Sequence, residues 1–233
     1  MNRCTLWNEI QINPGAPADY VALAQFHYRA ERVGVITRIL TARCALPGAM
    51  PSGVGAPTGH ALAGVLVEAL PQLNCAARNL ALPNRYTGGD RALLAARLNA
   101  EMRTIARVII HPTFRGIGLS VALVREALRT AETPYVEALA AMGRVHPFFR
   151  AAGMQEFDRP PDAAAARLLA ALAHAGLRPI DLADGARIPE TPLLLREFQR
   201  FTRRHDANLP ALLNLARPRL LSQPLYYLWH NQQ

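Results

Sequence analysis

The chain contains no lysine, so every one of its 26 basic residues is an arginine. Because 17 residues are acidic, the net charge is +9, and the isoelectric point is near 10.4. The absence of lysine excludes a P-loop, whose Gly-Lys-Ser/Thr sequence needs one. Composition explains part of the arginine content, since Ala, Arg, Leu, Gly and Pro all have GC-rich codons. The remaining charge favours polyanionic partners, either DNA or RNA or a phosphate-rich ligand.

The chain is also poor in cysteine and in long apolar runs. Cys4, Cys44 and Cys75 are isolated and odd in number, which argues against a disulfide framework and fits a reducing cytoplasm. No apolar run reaches the length of a membrane span, and the start "MNRCTLWNEIQINPG" lacks the apolar region of a signal peptide. The histidines show no metal-ligand spacing. We therefore expect a cytoplasmic protein with no membrane contact and no metal.

Apolar periodicity and turn residues predict alternating helices and strands up to residue 160. The helices are predicted at 17–30, 90–98, 116–131 and 146–154, and the strands at 33–42, 61–70, 101–112, 135–142 and 155–160. A loop rich in Gly and Pro separates the first two strands, which are predicted to pair as a hairpin.

The last third of the chain has a different pattern. Residues 161–220 are mostly helical in periodicity, and the end "QPLYYLWHN" is β-like and aromatic. We expect this end to return to the main sheet. The predicted organisation is therefore a core of residues 1–160 plus 221–233, with a helical insertion at 161–220.

A turn with two glycines joins the strand ending near His111 to the following helix. It has the sequence Arg115-Gly116-Ile117-Gly118-Leu119-Ser120, here called the Gly turn. A helix start offers N–H groups without partners and the positive end of the helix dipole, which suit a phosphate. Glycines let the backbone approach the anion, and Arg115 adds a charged donor. The turn is not a G-x-G-x-x-G sequence.

The segment "VIIHPTFRGIGLSVALVREAL" resembles the coenzyme A pyrophosphate motif of the GCN5-related N-acetyltransferases (GNAT), written R/Q-x-x-G-x-G/A. The matching residues are Arg115, Gly118 and Ser120. The segment "HPFFRAAGM" is similar to the aromatic helix of that family. Overall, the sequence is more similar still to the acetyltransferase-like domain found alone or fused to ABC-type ATPases, which has no known substrate.

The resemblance implies an α/β fold with a mixed, mostly antiparallel central sheet flanked by helices. The helical insertion before the last strand lies outside the resemblance. It implies an acyl-CoA-dependent N-acyltransferase that uses acetyl-CoA or another acyl-CoA, acts on an unidentified amine, and is a monomer or homodimer. It also implies a set of cofactor-binding residues. These are Val108, Ile109 and Ile110 for the pantetheine arm, Arg115, Gly116, Ile117, Gly118, Leu119 and Ser120 for the pyrophosphate, and Phe148 or Phe149 near the thiol.

The same resemblance indicates candidates for the chemistry. The family often places a glutamate on the strand before the turn, and here that residue is Glu101. The family's acid is usually a tyrosine in the helix where this chain has Phe148 and Phe149, so His146, Tyr226 or Tyr227 are the possible replacements.

Arg107 and Glu137 each lie in the middle of a predicted strand, in "TIARVII" and "YVEALAAM". Because a buried charge needs a partner, we expect them to face each other across adjacent strands. Such a pair would be either a structural contact or the floor of the acceptor site.

The stretch His27-Tyr28-Arg29 combines a titratable group, a hydroxyl and an anion-binding fork at the end of the first predicted helix. With "ARVII" it weakly resembles the phage Mom-type DNA-modification proteins, whose motif would map onto His27, Tyr28 and Arg107. This resemblance implies, as an alternative, modification of a DNA adenine or an RNA base. A third possibility is a non-catalytic module that binds acyl-CoA or nucleic acid.

Overall fold

The computed structural model describes residues 5–27, 33–45, 60–158, 160–183, 188–221 and 224–231. The chain divides into two compact units. The first consists of Met1–Phe157 with Tyr226–Gln233, and the second of Asp158–Leu225. None of the described helices is both long enough and apolar enough to cross a membrane. Within these ranges, no three His, Cys, Asp or Glu side chains lie close enough together to hold a metal ion.

A seven-stranded sheet forms the centre of the first unit, in the spatial order β1-β2-β3-β4-β5-β7-β6. The strands are β1 Ile10–Pro14, β2 Ile36–Cys44, β3 Ala61–Ala69, β4 Met102–Ile110, β5 Tyr135–Ala140, β6 Gln155–Phe157 and β7 Leu225–His230. Strands β1 to β4 pair antiparallel, as do β6 and β7, whereas β4 and β5 run parallel. The predicted mixed, mostly antiparallel α/β fold is thus confirmed.

Strand β3 lies in the middle of the antiparallel half, and all nine of its residues are buried. Its run "ALAGVLVEA" is apolar almost throughout, as expected for a strand covered on both faces. Gly64 within it is required by packing: a Cβ there would lie 2.9 Å from Ile110 Cδ1 and 3.2 Å from Leu123 Cδ1. The missing side chain therefore leaves room on β3 for Ile110, at the end of β4, and for Leu123, in the helix that begins at Leu119.

Among the residues that the structure describes, five α-helices flank the sheet in this unit. They are α1 Pro17–Ala24, α2 Ala76–Ala81, α3 Arg91–Glu101, α4 Leu119–Arg129 and α5 Phe148–Ala152. Helix α4 buries a stripe that includes Leu119, Leu123 and Ala127, at the spacing of one helix face. Gly153 ends α5 in the left-handed conformation, with φ of 107°, as the sequence predicted.

Several boundaries differ from the prediction. Helix α1 ends at Ala24, because Phe26 and His27 donate backbone hydrogen bonds to Leu23 and Ala24 in a tighter turn. Strand β1 and helix α2 were not predicted, since short segments carry little periodicity. Helix α3 extends through Glu101, so this residue ends a helix rather than beginning a strand.

The described part of the second unit holds three α-helices, α6 Ala163–His174, α7 Pro192–Thr202 and α8 Leu209–Leu221. They lie in sequence between β6 and β7, in agreement with the predicted helical insertion before the last strand. Asp162 and Thr191 cap α6 and α7 by accepting hydrogen bonds from backbone N–H groups. Their apolar faces share a core that includes Leu172, Phe198 and Leu212.

Candidate functional site

Strands β4 and β5 separate halfway along β4. Their parallel pairing runs from Met102↔Tyr135 to Ile105↔Ala138 and ends there. On its other edge, β4 continues to pair with β3 as far as Gly64↔Ile110. Ala106 is an extra residue in this pairing, a β-bulge of the kind that bends a strand. Among the described residues, 106–110 of β4 do not pair with β5, and this edge of β4 is here called the strand opening.

Backbone groups at the end of β4 point toward this opening. The His111 N–H donates to Ala63 on β3, at 2.9 Å. Successive residues of a strand direct their backbone groups to opposite edges, so Ile110 and Val108 direct theirs toward the strand opening. Ile109 directs its groups toward β3. Of the three residues predicted to pair with a pantetheine arm, Val108 and Ile110 are therefore the two in position.

The Gly turn follows β4 after a short 3₁₀ turn, Pro112–Phe114, and is partly open to solvent. Gly116 and Gly118 have φ values of 83° and 85°, in the left-handed region that favours glycine. Both are exposed, as is Arg115, whereas Ile117 and Ser120 are half-buried and Leu119 is buried. A Cβ on Gly116 would meet nothing within 4 Å. Because α4 begins at Leu119, the N–H groups of Leu119 and Ser120 have no acceptor within the helix.

Arg115 connects the Gly turn to the end of β4 and to the turn after α1. Its Nε donates to the Ile110 carbonyl at 3.2 Å, and its Nη2 donates to the Phe26 carbonyl at 3.4 Å. The Phe26 ring meets the buried His111 ring edge-on, with centroids 5.0 Å apart. The turn after α1, which includes the half-buried His27, is therefore held against the end of β4. The candidate Tyr28 lies outside the described residues.

Trp7 is a part of this site that sequence reasoning did not find. It lies in a 3₁₀ turn, Thr5–Glu9, and its indole Nε1 donates to the Ile117 carbonyl at 3.2 Å. A Cβ on Gly118 would lie 3.9 Å from the Trp7 ring. No local motif marks Trp7, because the contact joins positions 110 residues apart.

The two phenylalanines of α5 have different environments. Phe149 is buried, with its ring centroid 5.3 Å from that of Tyr227 and 4.3 Å from that of Phe148. Phe148 is half-buried. Phe149 is therefore a core residue, and Phe148 is the better placed of the two to contact a ligand.

Glu137 is the centre of a buried polar cluster, here called the Glu137 network. Arg78 donates to both carboxylate oxygens, through Nε at 2.8 Å and Nη2 at 2.7 Å. Thr104 Oγ1 and the Tyr226 hydroxyl donate to the same carboxylate, at 2.7 and 2.8 Å. The Arg78 guanidinium therefore neutralises the Glu137 charge, and four hydrogen bonds in all enclose the carboxylate.

The expected pairing of Arg107 with Glu137 is wrong. Thr104, not Arg107, lies opposite Glu137 in the parallel register, and Arg107 lies opposite Val67 on β3. Arg78 is the true partner, contributed by a helix that the sequence did not predict. The Arg78 and Glu137 side chains are only 1% and 2% exposed. Arg107 instead lies half-buried beside the bulge, where the strand opening begins.

The hydroxyls of Tyr226 and Tyr227 are both committed to carboxylates. Burial and the nearby Glu137 raise the pKa of Tyr226 far above its ordinary value, and its proton is donated to Glu137. Tyr227 donates to Glu156 at 2.8 Å, and burial raises its pKa to about 12. These environments do not favour either tyrosine as a replacement acid. His146, in the segment between β5 and α5, is exposed.

Glu101 lies at the end of β4 remote from the Gly turn, roughly 25 Å away along an extended strand. Its carboxylate accepts hydrogen bonds from Tyr86 at 2.7 Å and from Arg85 and Arg97 at 3.0 Å. Although partial burial opposes the change, these donors lower the pKa of Glu101. The predicted role as a base is not favoured, since a carboxylate held in this way is a weak base.

No protein-family model and no curated protein matches the chain. Two solved structures show partial similarity. AtaTR bound with acetyl-CoA is 14% identical, with a TM-score of 0.38 over 65% of this chain and 88% of that one. The KacTA–DNA complex is also 14% identical, with a TM-score of 0.36 over 64% of this chain and 87% of that one. Similarity at this level does not extend to individual side chains.

Proposed function

We propose that the protein is an acyl-CoA-dependent N-acyltransferase of the GNAT type. One observation carries the proposal: the pairing of β4 with β5 ends at Ile105, and the unpaired end of β4 leads through a short 3₁₀ turn into the exposed Gly turn that starts α4. An extended arm fits the strand opening, and a diphosphate fits the turn. The sequence motif Arg115-x-x-Gly118-x-Ser120 lies at this junction.

In this proposal, the cofactor contacts mostly backbone. The N–H groups of Leu119 and Ser120 donate to the pyrophosphate, whose charge the N-terminal dipole of α4 also favours. The amide groups of the pantetheine arm pair with Val108 and with the N–H of Ile110, whose carbonyl already accepts from Arg115. The thioester then lies near the bulge at Ala106, and Phe148 lines the apolar side.

The reaction requires attack of an uncharged amine nitrogen on the thioester carbonyl carbon. The carbon–sulfur bond then breaks, and the thiolate takes up a proton as the attacking nitrogen loses one. Backbone N–H groups at the strand opening stabilise the charge that develops on the carbonyl oxygen. We assign the proton transfers to His146, in the exposed segment between β5 and α5. His27 follows Phe26, which contacts Arg115 at the pyrophosphate end of the site.

Arg107 lies half-buried at the bulge, beside the proposed thioester position, and its Nη1 donates to the Ala106 carbonyl at 2.8 Å.

A second candidate function, modification of a nucleic-acid base, is favoured by the net charge of +9. Phosphate contacts make affinity fall steeply as salt increases. Binding of single-stranded and duplex DNA and of RNA should therefore be measured between low and physiological salt. A flat salt dependence, or no binding at low salt, would count against a nucleic-acid acceptor.

The proposed function is tested in two steps. Acetyl-CoA binding is measured by calorimetry on the wild type and on Gly118→Trp, whose side chain would meet the Trp7 ring and displace the turn. Mass spectrometry then compares protein, DNA and RNA from cells that express each form. Binding by the wild type alone, with a wild-type-specific acyl mark, supports the proposal. Equal binding by both forms would contradict the assigned site.

A further inference from the structure

We infer that Trp7 is a positioning residue that orients the Gly turn for the diphosphate of coenzyme A; this inference rests on the proposed function. Trp7 comes from a 3₁₀ turn far from the motif in sequence, and it donates from Nε1 to the Ile117 carbonyl at 3.2 Å. The geometry of this one hydrogen bond determines the direction of the next amide in the turn.

The peptide group between Ile117 and Gly118 is planar and trans, so its carbonyl and its N–H point in opposite directions. Because Trp7 holds the Ile117 carbonyl on one side, the Gly118 N–H points to the other side. The first N–H groups of α4 belong to the adjacent residues Leu119 and Ser120. Gly118 can therefore act with these amides as a donor to a phosphate oxygen.

Without Trp7, little in the turn would fix this peptide group. Gly116 and Gly118 both have positive φ, and glycine adopts many backbone conformations at low energy. Trp7 is half-buried, and its ring lies 3.9 Å from the position of a Cβ on Gly118. The indole ring thus restricts the movement of the turn on the side away from the proposed diphosphate. Its N–H selects one orientation of the Ile117–Gly118 peptide group before the ligand binds.

The variant Trp7→Phe tests this role, because it keeps an aromatic ring and removes the donor. The dissociation constant for coenzyme A, measured by calorimetry, should rise about two- to tenfold, as expected for one hydrogen bond. Trp229→Phe, in β7, is the matched control and should leave the dissociation constant unchanged. Melting temperatures of both variants show whether the fold is kept.

Amide NMR spectra distinguish positioning from general loosening. Coenzyme A should move the Gly118 amide proton downfield in the wild type. In Trp7→Phe this shift should shrink, while the shifts at Val108 and Ile110 persist. Equal loss of all three shifts would overturn the positioning role, and so would an unchanged dissociation constant. A wild type that binds no coenzyme A would instead refute the proposed function itself.

Discussion

The Arg78 guanidinium and the Glu137 carboxylate form a bidentate salt bridge inside the first unit, with N–O distances of 2.8 and 2.7 Å. Arg78 also donates to the carbonyls of Gln72 and Leu73. The pair therefore joins the segment before α2 to the middle of the sheet. Removing one partner leaves a buried charge without compensation, whereas removing both does not.

We predict that Arg78→Ala lowers the free energy of unfolding by about 3–5 kcal/mol, because the Glu137 charge then lacks its main partner. Urea denaturation measures the change. The double variant Arg78→Met with Glu137→Leu should lose much less than the two single changes combined. The same cycle with Arg107 in place of Arg78 should give a coupling energy within about 0.5 kcal/mol of zero. A large Arg107–Glu137 coupling would refute this account of the network.

Gly118→Val should abolish coenzyme A binding and cost about 1–2 kcal/mol of stability, because a branched residue is strained at positive φ. Gly176→Val is a matched control. Gly176 has a similar φ of 73° in the second unit, and a Cβ there would meet nothing within 4 Å. The control should lose similar stability and keep its affinity for coenzyme A. If both variants bind the cofactor equally, the Gly turn is not its site.

The stability that Glu101 contributes should depend on pH. Its pKa is lowered in the folded state, because the hydrogen bonds from Tyr86, Arg97 and Arg85 outweigh partial burial. The folded protein therefore releases this proton more readily than the unfolded chain does. The contribution is complete above the unfolded pKa and is lost as the pH falls through the lower, folded value.

Glu101→Gln should thus be about 1 kcal/mol less stable than the wild type at neutral pH, and the difference should shrink in acid. Denaturant titrations across the acidic range measure it. Glu126→Gln is the comparison, since Glu126 pairs on the surface with the largely exposed Arg129. This variant should change the free energy of unfolding by no more than about 0.5 kcal/mol. A Glu101 effect that grows in acid would reverse the sign of the predicted linkage.

Two variants test whether a histidine or a tyrosine carries the transferred proton. His146→Ala should reduce turnover about a hundredfold or more if it carries the proton, with unchanged affinity for acetyl-CoA. Tyr226→Phe should keep turnover and lose about 1–2 kcal/mol of stability, because Glu137 loses a donor. Single-turnover rates with the acceptor found by mass spectrometry measure both. Turnover lost in Tyr226→Phe alone would restore the tyrosine as the acid.

Local patterns in the sequence were sufficient for much of the fold. The apolar run of β3, the amphipathic pattern of α4 and the C-cap at Gly153 each depend on neighbours a few positions away. The aromatic end at 225–230 was correctly predicted to rejoin the sheet, because its pattern is that of a strand. Helix α2 was missed because a helix of six residues has too few turns to show a period.

The sequence by itself determined which residue types occur where a strand meets a helix, and hence the likeness of the Gly turn to a phosphate-binding motif. Only the tertiary structure decided which charges meet. Arg78 rather than Arg107 pairs with Glu137, Tyr226 donates into the same cluster, and Trp7 donates to the Gly turn from a distant segment. The physical reason is that strand register and helix docking, which bring distant positions together, follow from packing of the whole core rather than from local preference.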